Sequence, residues 1–393
     1  MGDTQVETLL PKEMLERFRA RSGHFDAENI FFAEDFAELG ECGYLAAPVP
    51  EPVGGAGLSL TQLVLAQRRL AAYAPATALG VNMHLVWVQA ARFLNERNLT
   101  SEHEASLDWV LRDAVAGEVF AFGISEAGNE SVLMDSGCLA EPMPGGAYVV
   151  TGTKIFTTLS PVWTRLGVHA KTPEEGQIIF GFVRREGADN SNLKQGEISH
   201  PGSWNPLGMR ATQSYTTRLA GVRVEASDIA ARIEPYDSSA PLVLAIFSSF
   251  SILTAAVYAG IADRALELAT EAASAPAPTS GGEFTTRLDD PEVSSKLISA
   301  VLDHRTSLDT LEVLARDIDS RLERTDWFVA LAAARNRVTD EARRTVDTAM
   351  RLVGARGFQA DSELARLYRD VLAGMFHPSS SRALAKAVRN SLT

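Results

Sequence analysis

The sequence predicts a mainly α-helical protein interrupted by a central β domain. Three observations carry this. Apolar residues recur at three- and four-residue steps through the first 118 residues and again after residue 234. Between these regions the texture changes to short β-branched and aromatic runs separated by Gly, Pro, Asn and Asp turns. The chain's 393 residues exceed one ordinary domain, and its 46% apolar content supplies a large core.

An N-terminal helical domain is expected over residues 1–118. "AENIFFAEDFAELGECGYLAAP" and "SLTQLVLAQRRLAAYAPATALGVNMHLVWVQAARFLNER" have helical spacing, and the breaker cluster "PVPEPVGGAGLS", Pro48 to Ser59, divides them. The leading stretch "MGDTQVETLLPKEMLERFRARSG" has no basic head followed by an apolar run, so a secretory signal is not expected. A β domain, barrel or sandwich, is expected over 119–233. Its strands are read from "EVFAFGIS", "GGAYVVTGTKIFTTL", "TRLGVHAKT", "GQIIFGFVRRE" and "YTTRLAGVRVEASDI". A helical bundle is expected over 234–393. It opens with the charge-free stretch "PLVLAIFSSFSILTAAVYAGIA", Pro241 to Ala262, long enough to span a bilayer. Its five hydroxyl-bearing residues and the lack of a basic flank favour a helix buried in the bundle, without membrane insertion. Ser274 to Glu292 reads as a polar surface loop.

The net charge of −13 argues against nucleic acid and anionic lipid as partners. Cys42 and Cys138 form no metal or redox spacing and read as packing residues in a reduced cytoplasm. No GxGxxG, P-loop, GxSxG or HExxH motif occurs, and no His/Cys/carboxylate cluster predicts a metal. His84 reads as a core helix residue and His169 as a strand residue. Arg335, Arg337, Arg343, Arg344, Arg351 and Arg356 read as a solvated or interfacial helix face.

Five segments in order resemble those of the acyl-CoA dehydrogenase family, over nearly the full chain. "PVPEPVGGAGLS" resembles its P-E-x-x-G-G-x-G-L-S segment, "FGISEAGNES" its T-E-P-G-A-G-S-D, and "VVTGTKIFTT" its G-x-K-x-W-I-T-N. "LGMRATQSYTTRLAGVRV" resembles its G-M-R-x-S/T stretch, and "RLVGARGFQADSELARLYRD" its G-G-x-G-(F/Y) run before an R-D helix. The resemblance implies a C-terminal four-helix bundle, with FAD held between it and the β domain, in a homodimer or homotetramer. It implies flavin contacts from the hydroxyls of Ser125, Thr157 and Thr158 and from the Phe156 ring, and FAD diphosphate contacts at Gly354 and Gly357. Without it, the hydroxyls read as local strand-edge partners and Gly354 as a helix C-cap. Ser131 matches an acyl thioester or phosphate contact.

The departures bear on chemistry. The family's catalytic Glu falls on Pro378, and its alternative Glu position on Phe250, a residue expected against the substrate. The expected substrate Arg falls on Ser251, and the R-x-F-G segment is absent near "APAPTSGGEFTT". His377 stands beside the vacancy as the candidate catalytic residue. Gly374 should cap the preceding helix, and His377, standing before a proline, should be extended. It should also sit at the positive end of a helix through "SSSRALAKAVRNSL", which disfavours imidazolium. It reads equally as an N-cap or packing residue.

The first reading is thus oxidation of an acyl thioester, such as an acyl-CoA, by hydride transfer to flavin, with an electron-transfer flavoprotein as partner. A second branch of the same fold is the flavin-dependent monooxygenases, supplied with reduced flavin by a reductase, which often place a His at this point. A third reading is a catalytically silent flavin-binding subunit.

Overall fold

The computed structural model describes residues 2–99, 106–174, 176–185, 197–276, 285–378, 384–385 and 388–389. Helices come first: α1 (Gly2–Leu9), α2 (Lys12–Glu28), α3 (Ala33–Glu41), α4 (Leu60–Ala71), α5 (Pro75–Arg97) and α6 (Asp108–Val115). The breaker cluster ends at Ser59, whose hydroxyl accepts from the Gln62 amide while Gln62 Oε1 accepts from the Ser59 amide. This reciprocal cap starts α4.

Eight strands follow: β1 (Phe120–Gly123), β2 (Leu139–Pro142), β3 (Tyr148–Thr157), β4 (Arg165–Lys171), β5 (Ile178–Arg184), β6 (Glu197–Ser199), β7 (Tyr215–Val224) and β8 (Ile229–Ile233). They form one mixed sheet in the order β6-β7-β3-β2-β4-β5-β8, with β1 parallel to β4. The sheet curls so that β5 packs against β7 over an apolar interior that includes Trp163, Leu166, Val168, Leu219 and Val224. β2 and β6 carry no β signature, since both are short and contain Glu, with β2 mostly exposed and β6 only half-buried.

The C-terminal helices are α7 (Pro241–Ala273), α8 (Pro291–Asp319), α9 (Trp327–Val353) and α10 (Glu363–Val371). α7 packs against α4, α5, α8 and α9. Among the described residues α7 alone is long and apolar enough to cross a membrane, and 89% of its apolar window is buried inside the protein. Its hydrophobicity matches its burial on all sides. Of the helix expected over 379–392 only 384–385 and 388–389 are among the described residues, both helical, and the centre of the 274–292 loop lies outside them.

Two expectations are corrected here. Arg335 is buried rather than on a solvated face of α9. Gly374 does not cap α10, which ends at Val371 and runs on into a 3-10 turn, Leu372–Phe376. A Cβ at Gly374 would sit 2.1 Å from Thr339 Cγ2 and 3.1 Å from the Tyr258 ring, so close packing requires glycine there.

The loop between β6 and β7 is bolted to α10. Asp370 accepts from the Met209 amide at 2.5 Å, and Gly208 lies so close that a Cβ would fall 2.2 Å from the Arg369 carbonyl oxygen. Burial raises the Asp370 carboxyl to about 6, with Arg366 and the Met209 amide opposing. Gly208→Ala is therefore expected to destabilise the protein by roughly 2–4 kcal/mol, because the nearest neighbour is backbone and cannot rotate away. Chemical denaturation would show this as a lower midpoint, and a change below about 0.5 kcal/mol would contradict the close approach.

Candidate functional site

A cleft of about 290 Å³ opens between the sheet and the C-terminal helices. Ser125, Phe156, Thr158, Phe250 and His377 all line it. Thr157 does not, because side chains alternate along a strand. It points inward, fully buried, while Phe156 and Thr158 face the cleft. Gly354 and Gly357 line neither this cleft nor the cavity beside it. Gly354 ends α9 with φ 77°, and a Cβ on Gly357 would meet Leu364 at 3.0 Å, so within one protomer both serve the helix turn.

Phe156 has φ 55°, a conformation unfavourable for an aromatic residue, and its side is 52% exposed at the cleft mouth against Trp204. The β3–β7 register breaks between Lys154 and Thr157, which accommodates this turn of the backbone. The floor below is polar and buried. Lys154 Nζ donates to Glu126 Oε1 at 2.5 Å, to His169 Nδ1 at 2.8 Å and to the His169 carbonyl at 2.7 Å. Burial opposes charge on Glu126, but Lys154 holds its carboxyl down to about 2. Burial and Lys154 lower His169 to about 3, so it is neutral and donates from Nε2 to the Val132 carbonyl. His169 is thus structural, as is His84, which accepts from the Phe120 amide and donates to the Leu45 carbonyl. The Glu126–Lys154–His169 cluster was not read from the sequence, because its members are far apart along the chain.

A second cavity of about 350 Å³ adjoins the first and shares Phe122, Val132, Phe250 and Pro378 with it. Phe247, Phe328, Val243, Ile246 and Leu133 add to its apolar wall, and Ser131, Ser238 and Glu130 supply its polar groups. No Lys or Arg lines it among the described residues. Phe122 and Phe250 stack between the two cavities with ring centroids 5.6 Å apart.

His377 is extended, with φ −68° and ψ 149°, as the following proline requires. Its Nε2 lies 2.7 Å from Tyr258 Oη on α7. Tyr258 is fully buried, and burial raises its phenol well above the ordinary range, so it keeps its proton. Burial, followed by the nearby Arg335 guanidinium, lowers His377 to about 3. The imidazole is therefore neutral at physiological pH. A phenol that keeps its proton can donate to Nε2 or accept from Nε2–H; in the tautomer where Tyr258 donates, the imidazole proton sits on Nδ1, which has no hydrogen-bond partner among the described residues. The causes of the lowered value are burial and Arg335; the start of the helix expected after Pro378 lies outside the described residues.

The lining suits an isoalloxazine, since it combines the hydroxyls of Ser125, Thr158, Thr212 and Ser214 with apolar and aromatic groups. The comparisons with known proteins agree. The family models for the N-terminal and C-terminal domains of acyl-CoA dehydrogenase match residues 5–97 and 241–377. The putative acyl-CoA dehydrogenase YdbM of Bacillus subtilis is 26% identical, over 94% of this chain and 92% of its own. The L-evernosamine nitrososynthase of a Micromonospora species is 28% identical, over 95% of this chain and 86% of its own. The FMN-bound structure of TdsC, a dibenzothiophene monooxygenase from Paenibacillus sp. A11-2, superposes with a TM-score of 0.81 at 20% identity, covering 98% and 95% of the two chains. With the two domain models matched in order on the fold described above, the chain belongs to the acyl-CoA dehydrogenase superfamily of flavin-dependent oxidoreductases.

Proposed function

We propose that this protein is a flavin-dependent monooxygenase acting on a small, apolar, aromatic substrate. One observation carries the choice over acyl thioester oxidation. The wall between the two cavities, where a base would remove an α-proton, is built from Phe122, Val132, Phe250 and Pro378 and holds no carboxylate among the described residues, Glu130 lining the second cavity alone. Glu126 does line the cleft, but it is neutralised by Lys154. His377 held near 3 accepts a proton too weakly to replace a carboxylate in that step.

A flavin bound in the first cleft would supply oxygen activation once reduced. The chain's own residues do the rest. Phe122 and Phe250 exclude water and give an aromatic substrate a stacking surface. His377 presents Nδ1–H at the cleft wall, where it can hydrogen-bond developing negative charge on oxygen. Thr158 and Ser125 orient the ring edge. The second cavity lacks the cations that a CoA or sugar-nucleotide phosphate needs, which favours an aromatic substrate over either. The relatives named for nitrososynthase and dibenzothiophene monooxygenase activity support the oxygenase branch.

The test supplies the purified protein with FMN, a flavin reductase, NADH and ¹⁸O₂, and offers indole and dibenzothiophene. The expected result is product carrying one ¹⁸O atom. Anaerobic bleaching of bound oxidised flavin by an acyl-CoA would instead restore the dehydrogenase reading. Flavin binding without turnover over both panels would favour a silent subunit.

A further inference from the structure

The loop carrying "LGMRATQS" ends in a chain of hydroxyls that leads from the bundle to the cleft. Asp370 accepts from the Met209 amide, which holds the Gly208–Met209 peptide immediately before the Met209 carbonyl. Thr212 Oγ1 donates to the Met209 carbonyl at 2.8 Å. Thr212 Oγ1 and Ser214 Oγ lie 2.8 Å apart, and Ser214 Oγ and Thr158 Oγ1 also 2.8 Å apart. Both loop hydroxyls are buried.

Each hydroxyl has one proton, and this sets the polarity of the whole chain. The carbonyl of Met209 can only accept, so the Thr212 proton is committed to it. Ser214 must then donate to Thr212, and Thr158 must donate to Ser214. The other acceptor near Thr158, the Phe156 carbonyl at 3.5 Å, takes its proton away from the cleft as well. Either way Thr158 presents lone pairs to the cleft and no proton. A group bound against it does best as a donor. The oxidised isoalloxazine has a bare acceptor nitrogen at N5, whereas the reduced ring carries N–H there.

We propose that Thr212 and Ser214 are positioning residues that make the cleft select reduced over oxidised flavin, by holding Thr158 as a hydrogen-bond acceptor. This rests on the flavin reading above and extends it. For Thr158 to donate to a bare N5, the chain gives up one bond: either Thr158 to Ser214, or, if all three hydroxyls turn, Thr212 to Met209. The Met209 carbonyl keeps the Thr212 amide as a donor at 3.1 Å, so the bias is one hydrogen bond and no more.

Thr212→Val removes the committed proton and lets the chain reverse freely. Thr212→Ser keeps it. The measurement is anaerobic equilibrium binding of FMN, oxidised and dithionite-reduced, with the midpoint potential of bound FMN as an independent readout. Wild type should bind reduced FMN more tightly than oxidised FMN. Thr212→Val should lower that ratio about fivefold, which for a two-electron couple lowers the potential by about 20 mV. Thr212→Ser should stay within about twofold of wild type. If both forms bind and the ratio is unmoved by Thr212→Val, or Thr212→Ser moves it equally, the relay is overturned while the flavin reading stands. If neither form binds, both fall together.

Discussion

His377→Ala is expected to lower oxygenation turnover by on the order of 10²-fold while leaving flavin affinity within a few fold. The reasoning starts from protonation. His377 is held near 3 by burial and Arg335, so it contributes a hydrogen bond and no charge. Its ring lines the first cleft, edge-on to Phe250 of the wall that both cavities share, with centroids 6.0 Å apart. Losing a donor fixed at the reacting atoms is a transition-state loss, so it should appear in kcat rather than in KM. Tyr258→Phe separates this from packing. It keeps the ring but removes the hydroxyl that holds Nε2, freeing the imidazole to change tautomer. A fall of roughly tenfold is expected, smaller than for His377→Ala, because the imidazole remains. The pH dependence provides a second check. With a value near 3 in the folded protein, His377 should give no inflection in kcat between pH 5 and 9 in wild type. An inflection near 6.5 that vanishes in His377→Ala would show a general base instead, and turnover within twofold of wild type in that variant would remove His377 from the chemistry.

The same residues show what a sequence can and cannot reveal. The order of helices, strands and helices was legible because periodicity is local: 3.6 in α4 and α9, alternation in β3 and β7. Ser125, Phe156, Thr158, Phe250 and His377 could be picked out on motif positions and do gather at one cleft. Thr157 was grouped with them because it is adjacent in sequence, although a strand sends neighbours to opposite faces. Tyr258 had no signal, since it sits in the charge-free α7 and meets His377 only through a packing contact 119 residues apart. Thr212 and Ser214 stood inside a quoted motif without a role, because their meaning lies in the direction of a proton chain that begins at the Met209 carbonyl. The "GMR" and "RD" segments are joined physically in this chain: Asp370 holds the loop that carries those hydroxyls.

His304→Leu is expected to destabilise the protein by roughly 3–5 kcal/mol, the largest stability effect of any single substitution considered. His304 on α8 bridges Asp263 on α7, at 2.9 Å from Nε2, and Glu341 on α9, at 3.1 Å from Nδ1. Arg68 on α4 closes the cluster with two bonds to Asp263, at 2.5 and 2.8 Å, and Thr345 donates to Glu341 at 2.6 Å. Burial disfavours the imidazolium, but hydrogen bonds to both carboxylates outweigh it and raise His304 to about 9. A group raised in the folded state stabilises fully below its unfolded value of 6.5, and that contribution is lost as pH climbs through about 9. The span corresponds to on the order of 3 kcal/mol. Wild-type stability should therefore fall from pH 6.5 to 9 more steeply than that of His304→Gln, whose amide cannot titrate. The cost in His304→Leu comes from Glu341, left buried with its charge and only Thr345 as partner, whereas Asp263 keeps Arg68. Neutralising that charge should help. The double variant His304→Leu/Glu341→Gln is expected to recover about half of the loss, a non-additivity read directly from urea midpoints. Simple additivity of the two substitutions would mean that His304 acts by filling space, and the electrostatic account of how α4, α7, α8 and α9 are held together would be wrong.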